Sequence, residues 1–141
     1  NKAILVEVIE KYLPQGEFLY PEDVVTEENM RSIVEEIVRE KILINTSDEI
    51  PHSVAVKVDE YSEEPEIDKI KATIFCETKS QKGILIGKDG SLLKTVGMQA
   101  RQDLEKITEK KIFLGLQVKV EKDWRKKDNI LKNFGYISQD N

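Results

Sequence analysis

The chain is 141 residues long and 35% charged, with a net charge of −5 and a single cysteine. That length suits one domain, or one with an appendage, and supports a core without covalent staples. Cys76 has no mate, which excludes an internal disulfide framework and fits a reducing compartment, and no apolar run reaches the roughly 18 residues of a membrane-spanning helix.

The charge is unevenly placed. Residues 1–78 hold 8 Lys/Arg and 19 Asp/Glu, net −11, whereas residues 79–132 hold 14 and 7, net +7. An acidic protein can therefore still carry a basic binding face. The N-terminus has no signal-peptide pattern. It opens with Asn1 inside an apparent helix, as a fragment of a longer protein would.

In chain order, Ile4, Leu5, Val8, Ile9, Tyr12 and Leu13 follow a 3.6-residue period, so residues 2–13 are predicted to be a helix ended by Pro14 and Gly16. Gln15 to Pro21 reads as a linker with aromatic anchors, and a boundary is expected there. Thr26 is placed to cap a second helix, with Glu27 and Glu28 complementing its dipole. Met30, Ile33, Val34, Ile37, Val38 and Ile42 form its apolar face.

Ser53–Glu60 and Ile70–Cys76 alternate apolar and polar residues around an acidic turn, Glu60–Glu66, which predicts an antiparallel pair with one face for helices. His52, the only histidine, has no second His or Cys nearby and reads as a surface or turn residue. A short helix is expected from Ser80 or Gln81 to Ile86. Then comes Gly87-Lys88-Asp89-Gly90, and a second helix capped by Ser91 with Leu93, Val96, Ala100, Leu104 and Ile107 as its buried stripe. Gly97 inside that helix costs about 1 kcal/mol relative to Ala, which a close approach to the sheet would justify. Ile112 to Glu121 is the clearest strand, with apolar residues at every second position. Trp124, Ile130, Leu131 and Phe134 suggest a last short helix, stopped by Gly135, and the tail 137–141 is expected to be disordered.

The two-glycine turn carries the chemistry. Glycine permits positive φ and close approach, and a lysine between two glycines joins charge to exposed N–H groups. A plain helix-turn-helix corner also fits a bare G-x-x-G. A P-loop, G-x-x-x-x-G-K-[ST], fits poorly, because Gly83 and Gly87 are separated by three residues and Asp89 stands where the Mg²⁺-binding hydroxyl belongs. The third reading is the KH loop, which clamps about four nucleotides of a single strand.

From residue 18 to about 136 the chain resembles the C-terminal half of the Era family of Ras-like GTPases. The carrying segments are Leu19-Tyr20-Pro21-Glu22-Asp23, Glu36-Ile37-Val38-Arg39-Glu40-Lys41, Ile50-Pro51-His52-Ser53-Val54-Ala55-Val56, Ile84-Leu85-Ile86-Gly87-Lys88-Asp89-Gly90 and Val118-Lys119-Val120-Glu121-Lys122-Asp123-Trp124-Arg125. The resemblance implies an α+β fold, a type II KH domain over residues 17–136. Its three-stranded sheet would have helices on one face, and residues 1–16 would be the end of the GTPase domain and linker.

The resemblance further implies binding of single-stranded ribosomal RNA near the 3′ end of the small-subunit rRNA, in assembly of the small ribosomal subunit. The enzyme, with its GTP and Mg²⁺, would lie in an absent domain, so no catalytic residue and no cofactor is expected in this chain. The same family associates with the inner face of the cell membrane from a cytoplasmic location; DNA is not an expected partner. The expected RNA contacts are Gly87, Lys88, Asp89, Gly90, Ile86, Ile84, Lys82, Ser91, Lys94 and Arg101, with Leu93 and Val96 as groove floor or plain core. Lys122, Arg125, Lys126 and Lys127 form a second set, or a solvated basic end. The alternative is a KH-like interaction module docking on a GTPase domain or a ribosomal protein through the acidic half.

Overall fold

In a computed structural model, which describes residues 2–13, 16, 27–47 and 50–135, the predicted element order is present. Helix α1 (Lys2–Tyr12) is followed by α2 (Glu27–Asn45), strands β1 (Ala55–Glu63) and β2 (Ile67–Cys76), helices α3 (Lys79–Ile86) and α4 (Ser91–Thr108), strand β3 (Lys111–Val120) and a short α5 (Asp128–Asn133). Thr26, the linker anchors Phe18 and Tyr20, and the tail 137–141 lie outside the described residues.

The sheet order is β1-β2-β3. β1 and β2 are antiparallel, and β2 and β3 are parallel, the return being made through α3 and α4. Side chains alternate across a strand, so Val56, Val58, Ile70, Ala72, Ile74, Ile112 and Val118 share one face and are buried. Helices α2 and α4 cover that face with Val34, Val38, Ile42, Val96, Ala100 and Leu104. Each such side chain contributes about 1.5–3 kcal/mol on burial, Ala100 less.

The acidic turn is shorter than its composition suggests. β1 runs on to Glu63 and β2 begins at Ile67, leaving Glu64-Pro65-Glu66. The added residues pair across the strands: Lys71 Nζ lies 2.9 Å from Glu60, and the Tyr61 hydroxyl donates to Asp68 at 3.0 Å. Polar residues can extend a hairpin when one face is open to water.

Ile107 departs from its expected place in the buried stripe. It is 52% exposed, at the end of α4, beside a shallow cleft lined by Met30, Ile33 and Tyr61. The apolar residues of α1 are likewise exposed, with none buried.

The segment after β3 folds back onto the sheet's other face. Trp124 is buried, and its indole N–H donates to the Ser53 carbonyl at 3.1 Å. Phe134 stacks on Phe75 at 4.7 Å and meets Trp124 edge-on at 5.5 Å. Trp124 thus joins segments 71 residues apart.

Candidate nucleic-acid interface

The loop between α3 and α4 is built from glycine conformations. Gly87 has φ 74° and ψ 176°, a region open to glycine alone. A Cβ there would stand 2.8 Å from the Leu92 amide nitrogen and 2.9 Å from its Cβ. Asp89 and Gly90 are both left-handed, at φ 55° and 75°. α3 enters through a capping box: the Gln81 amide donates to Thr78 Oγ1 at 3.2 Å, and Gln81 Oε1 accepts from the Thr78 amide at 3.2 Å. The helix therefore starts at Lys79, a residue or two before the expected Ser80 or Gln81, with Thr78 as its cap. At α4 the cap is Gly90, and Ser91 is already the first helical residue with no side-chain cap bond.

The Gly90 amide is turned inward to the Gly87 carbonyl at 3.3 Å. Lys88 and Asp89 supply the other amides of the loop, before the N-terminal end of α4. That end of a helix favours an anion. Gly83 lies inside α3 with open space about its Cβ position. It forms no phosphate loop.

A groove of about 500 Å³ opens from this loop. One wall is α4, with Gly90, Leu93, Lys94, Gly97, Met98 and Arg101; the other is β3, with Ile112, Phe113, Leu114 and Leu116. The close approach that would justify Gly97 is not seen: a Cβ there would lie 3.6 Å from Leu116 Cδ1, an ordinary contact. From Gly90 to Arg101 the wall is about 16 Å long at 1.5 Å per residue. β3 ends the sheet order, so its outer edge turns N–H and C=O groups toward the groove's rim.

Of the residues expected on the groove floor, Leu93 lines it. Val96 is 1% exposed and belongs to the core. Ile86 packs half-buried against the core, and Ile84 is 49% exposed. The contribution of β3 and Met98 was missed. Strand alternation reveals which residues face the helices, but not that β3 is an edge.

Charge separates the two expected contact sets. Lys82, Lys88, Lys94 and Arg101 form no ion pair among the described residues, nor does Asp89, which is exposed. In the second set Arg125 holds Glu77 with two bonds, at 3.0 and 2.8 Å, and that carboxylate pushes its guanidinium further up. Lys127 pairs with Glu121 at 2.9 Å and Lys126 with Asp123 at 3.8 Å. Only Lys122 of that set is unpaired among the described residues.

Other chemistry is sparse. Burial pushes the Cys76 thiol up, away from the reactive thiolate. Among the described residues no group of His, Cys, Asp and Glu could hold a metal ion, and no helix is long and apolar enough to cross a membrane.

Comparison with known proteins agrees with this geometry. The KH domain family matches residues 49–125. The GTPase Era of Fusobacterium nucleatum is 48% identical over 136 residues, covering 96% of this chain and 46% of its own length. The GTPase Era of Staphylococcus haemolyticus is 46% identical over 138 residues, with 97% and 46% covered. Among solved structures, an Aquifex aeolicus Era variant bound to GDP and AlF4⁻ superposes with a TM-score of 0.88 at 42% identity, over 98% of this chain and 47% of that one. A complex of Era with MgGDPNP and nucleotides 1506–1542 of 16S ribosomal RNA gives the same values. The chain thus spans about half the length of the curated relatives it matches. With a shared element order, a glycine loop between α3 and α4 and this extent of matched sequence, the chain belongs to the KH domain family, in the form carried by Era GTPases.

Proposed function

We propose that the groove between the Gly87–Gly90 loop, α4 and the edge of β3 binds single-stranded ribosomal RNA, in the service of small-subunit assembly. The observation that carries this reading is that Lys94 and Arg101 line the groove and Lys88 sits in the loop at its end, with Lys82 on α3, none of the four spent on a carboxylate among the described residues. In water an ammonium without a partner costs nothing to leave exposed, and among the described residues about half of the other lysines are paired. A phosphate chain is the ligand that uses a line of such charges. The loop amides of Lys88 and Asp89 would take one phosphate. Bases would lie on Leu93, Gly97 and Leu116, with the polar edge of β3 beside them.

A relative's complex with nucleotides 1506–1542 of 16S ribosomal RNA supports the choice of RNA. Ile84, Ile86 and Ser91 support the loop, and Lys122, Arg125, Lys126 and Lys127 are secondary, since carboxylates already occupy three of them. Catalysis is assigned to the part of the relatives this chain does not span, together with GTP and Mg²⁺. We assign residues 1–16 to the end of that part. The exposed Ile4, Leu5, Val8 and Ile9 of α1 would pack there. A cytoplasmic location, with peripheral contact to the inner membrane face, is the setting this reading expects.

The test compares charge reversals. Lys94→Glu and Arg101→Glu are expected to weaken binding of a short single-stranded RNA at least ten-fold, while Lys127→Glu leaves it within about two-fold. Equal losses for all three would mean a generic basic surface and no groove. A protein-docking module would show no RNA binding in the unsubstituted chain, and direct titration with GTP separates a nucleotide enzyme from both.

A further inference from the structure

Phe113 is the one large aromatic of the groove among the described residues, and it is 52% exposed. It sits on β3 at the Arg101 end of the groove, away from the glycine loop. Its ring does not fold into the core. Instead its Cε1 lies 3.6 Å from the position a Cβ would take on Gly115, two residues along the strand. With no side chain on Gly115, the ring edge packs down over the strand on the sheet's face away from α2 and α4, beside the Lys71 stem, whose Cγ is 3.7 Å from the same position. Lys69 stands opposite Phe113 in the β2–β3 register, and Lys111 precedes it by two residues on the same face.

These charges are available to an anion. Lys111 has no ion pair among the described residues. Lys69 pairs with Glu64 and Lys71 with Glu60, but both carboxylates are themselves exposed, and such surface pairs are weak and exchangeable. An exposed ring ringed by lysines, continuous with a groove for single-stranded nucleic acid, has the makeup of a base-stacking platform.

We infer that Phe113 stacks the first base beyond the clamped stretch, turning the strand over the edge of β3 so that its next phosphates meet Lys111, Lys71 and Lys69. This rests on the RNA reading above and extends it. The site would hold more than the roughly four nucleotides a KH groove clamps. Stacking is tolerant of sequence because every base has a π-face, so this end of the site would add affinity without adding strong base preference.

The experiment titrates the whole chain with RNAs of four, six and eight nucleotides sharing one clamped sequence. Unsubstituted chain, Phe113→Leu and Phe113→Ala are compared, with folding checked by circular dichroism. The expected result is a gain in affinity with length in the unsubstituted chain that both variants lose, by roughly ten-fold for the eight-mer, against a clearly smaller loss for the four-mer. Phe113→Trp adds an independent signal: its emission is expected to quench on binding the eight-mer and not the four-mer, measured against the unsubstituted chain, whose only tryptophan is the buried Trp124. Equal length dependence in all chains, or a Phe113→Leu chain that keeps full eight-mer affinity, would overturn the platform while leaving the groove reading intact. No binding of any RNA by any chain would overturn both.

Discussion

At the scale of single residues, the glycines of the loop and of the helix before it are not equivalent. A side chain at Gly87 meets the Leu92 backbone at 2.8 Å in a φ/ψ region closed to other residues. Gly87→Asp is therefore expected to disturb the loop itself, not binding alone. Gly87→Ala should lower stability by about 1–3 kcal/mol in chemical denaturation. Gly83 is the contrast, helical and with nothing within 4 Å of its Cβ position. Gly83→Ala should raise stability by about 0.5–1 kcal/mol and leave RNA affinity unchanged; a loss of affinity would mean that Gly83 belongs to the site after all. Lys88 is the clean probe of charge, since it is exposed and makes no ion pair among the described residues. Lys88→Ala should weaken RNA binding and make the salt dependence shallower by about 0.7 in slope, one phosphate's worth, with no change in the unfolding midpoint.

At the scale of elements, two contacts fix the helices that hold the loop. The Thr78–Gln81 capping box starts α3, and Thr78→Ala should cost about 1 kcal/mol, seen as a melting temperature lower by about 2–4 °C. The second contact joins α2 to α4. Lys41 bonds Asp103 by an ion pair and Asn45 Nδ2 donates to Gln99 Oε1 at 2.7 Å. The Lys41 hydrogen bond holds the Asp103 carboxyl below its usual range, and the Asp103 bond, with Glu40 behind it, raises Lys41. A lowered carboxylate pKa contributes stability above the ordinary Asp range and loses it as pH falls through the lowered value; a raised lysine pKa contributes below its ordinary value and loses it as pH rises through the raised one. Unfolding followed from about pH 6 to pH 2 should show a shallower acid loss in Asp103→Asn than in the unsubstituted chain. Parallel curves would mean that this pair is too solvated to couple to folding.

At the scale of the whole molecule, the fold was largely legible because its signals are local. The 3.6-residue period of Met30 to Ile42 and the alternation of Ile112 to Val120 each lie within one element, and both elements form where expected. What was not legible joins distant parts of the chain. Arg125 and Glu77 are 48 residues apart, so a basic cluster in sequence proves to be a set of ion pairs in space. Asp68, buried against Tyr61 and Lys110, gives no sign of its burial in a strand of mixed polarity. Half of the groove was missed for the same reason: Phe113, Leu114 and Leu116 join Leu93 and Gly97 only because β3 returns parallel to β2 beneath α4. The glycine loop was readable since its chemistry is contained in four consecutive residues.

The central claim is that this chain by itself recognises single-stranded RNA through one groove. Fluorescence-anisotropy titration tests it most directly, with a short RNA copying the 3′ end of small-subunit ribosomal RNA, a scrambled RNA of equal length, and several salt concentrations. The account predicts preference for the first RNA and a log–log salt slope of roughly −2 to −3, that of about four clamped nucleotides. Equal, weak binding of both RNAs, or affinity independent of salt, would contradict it and turn attention to the acidic half and a protein partner.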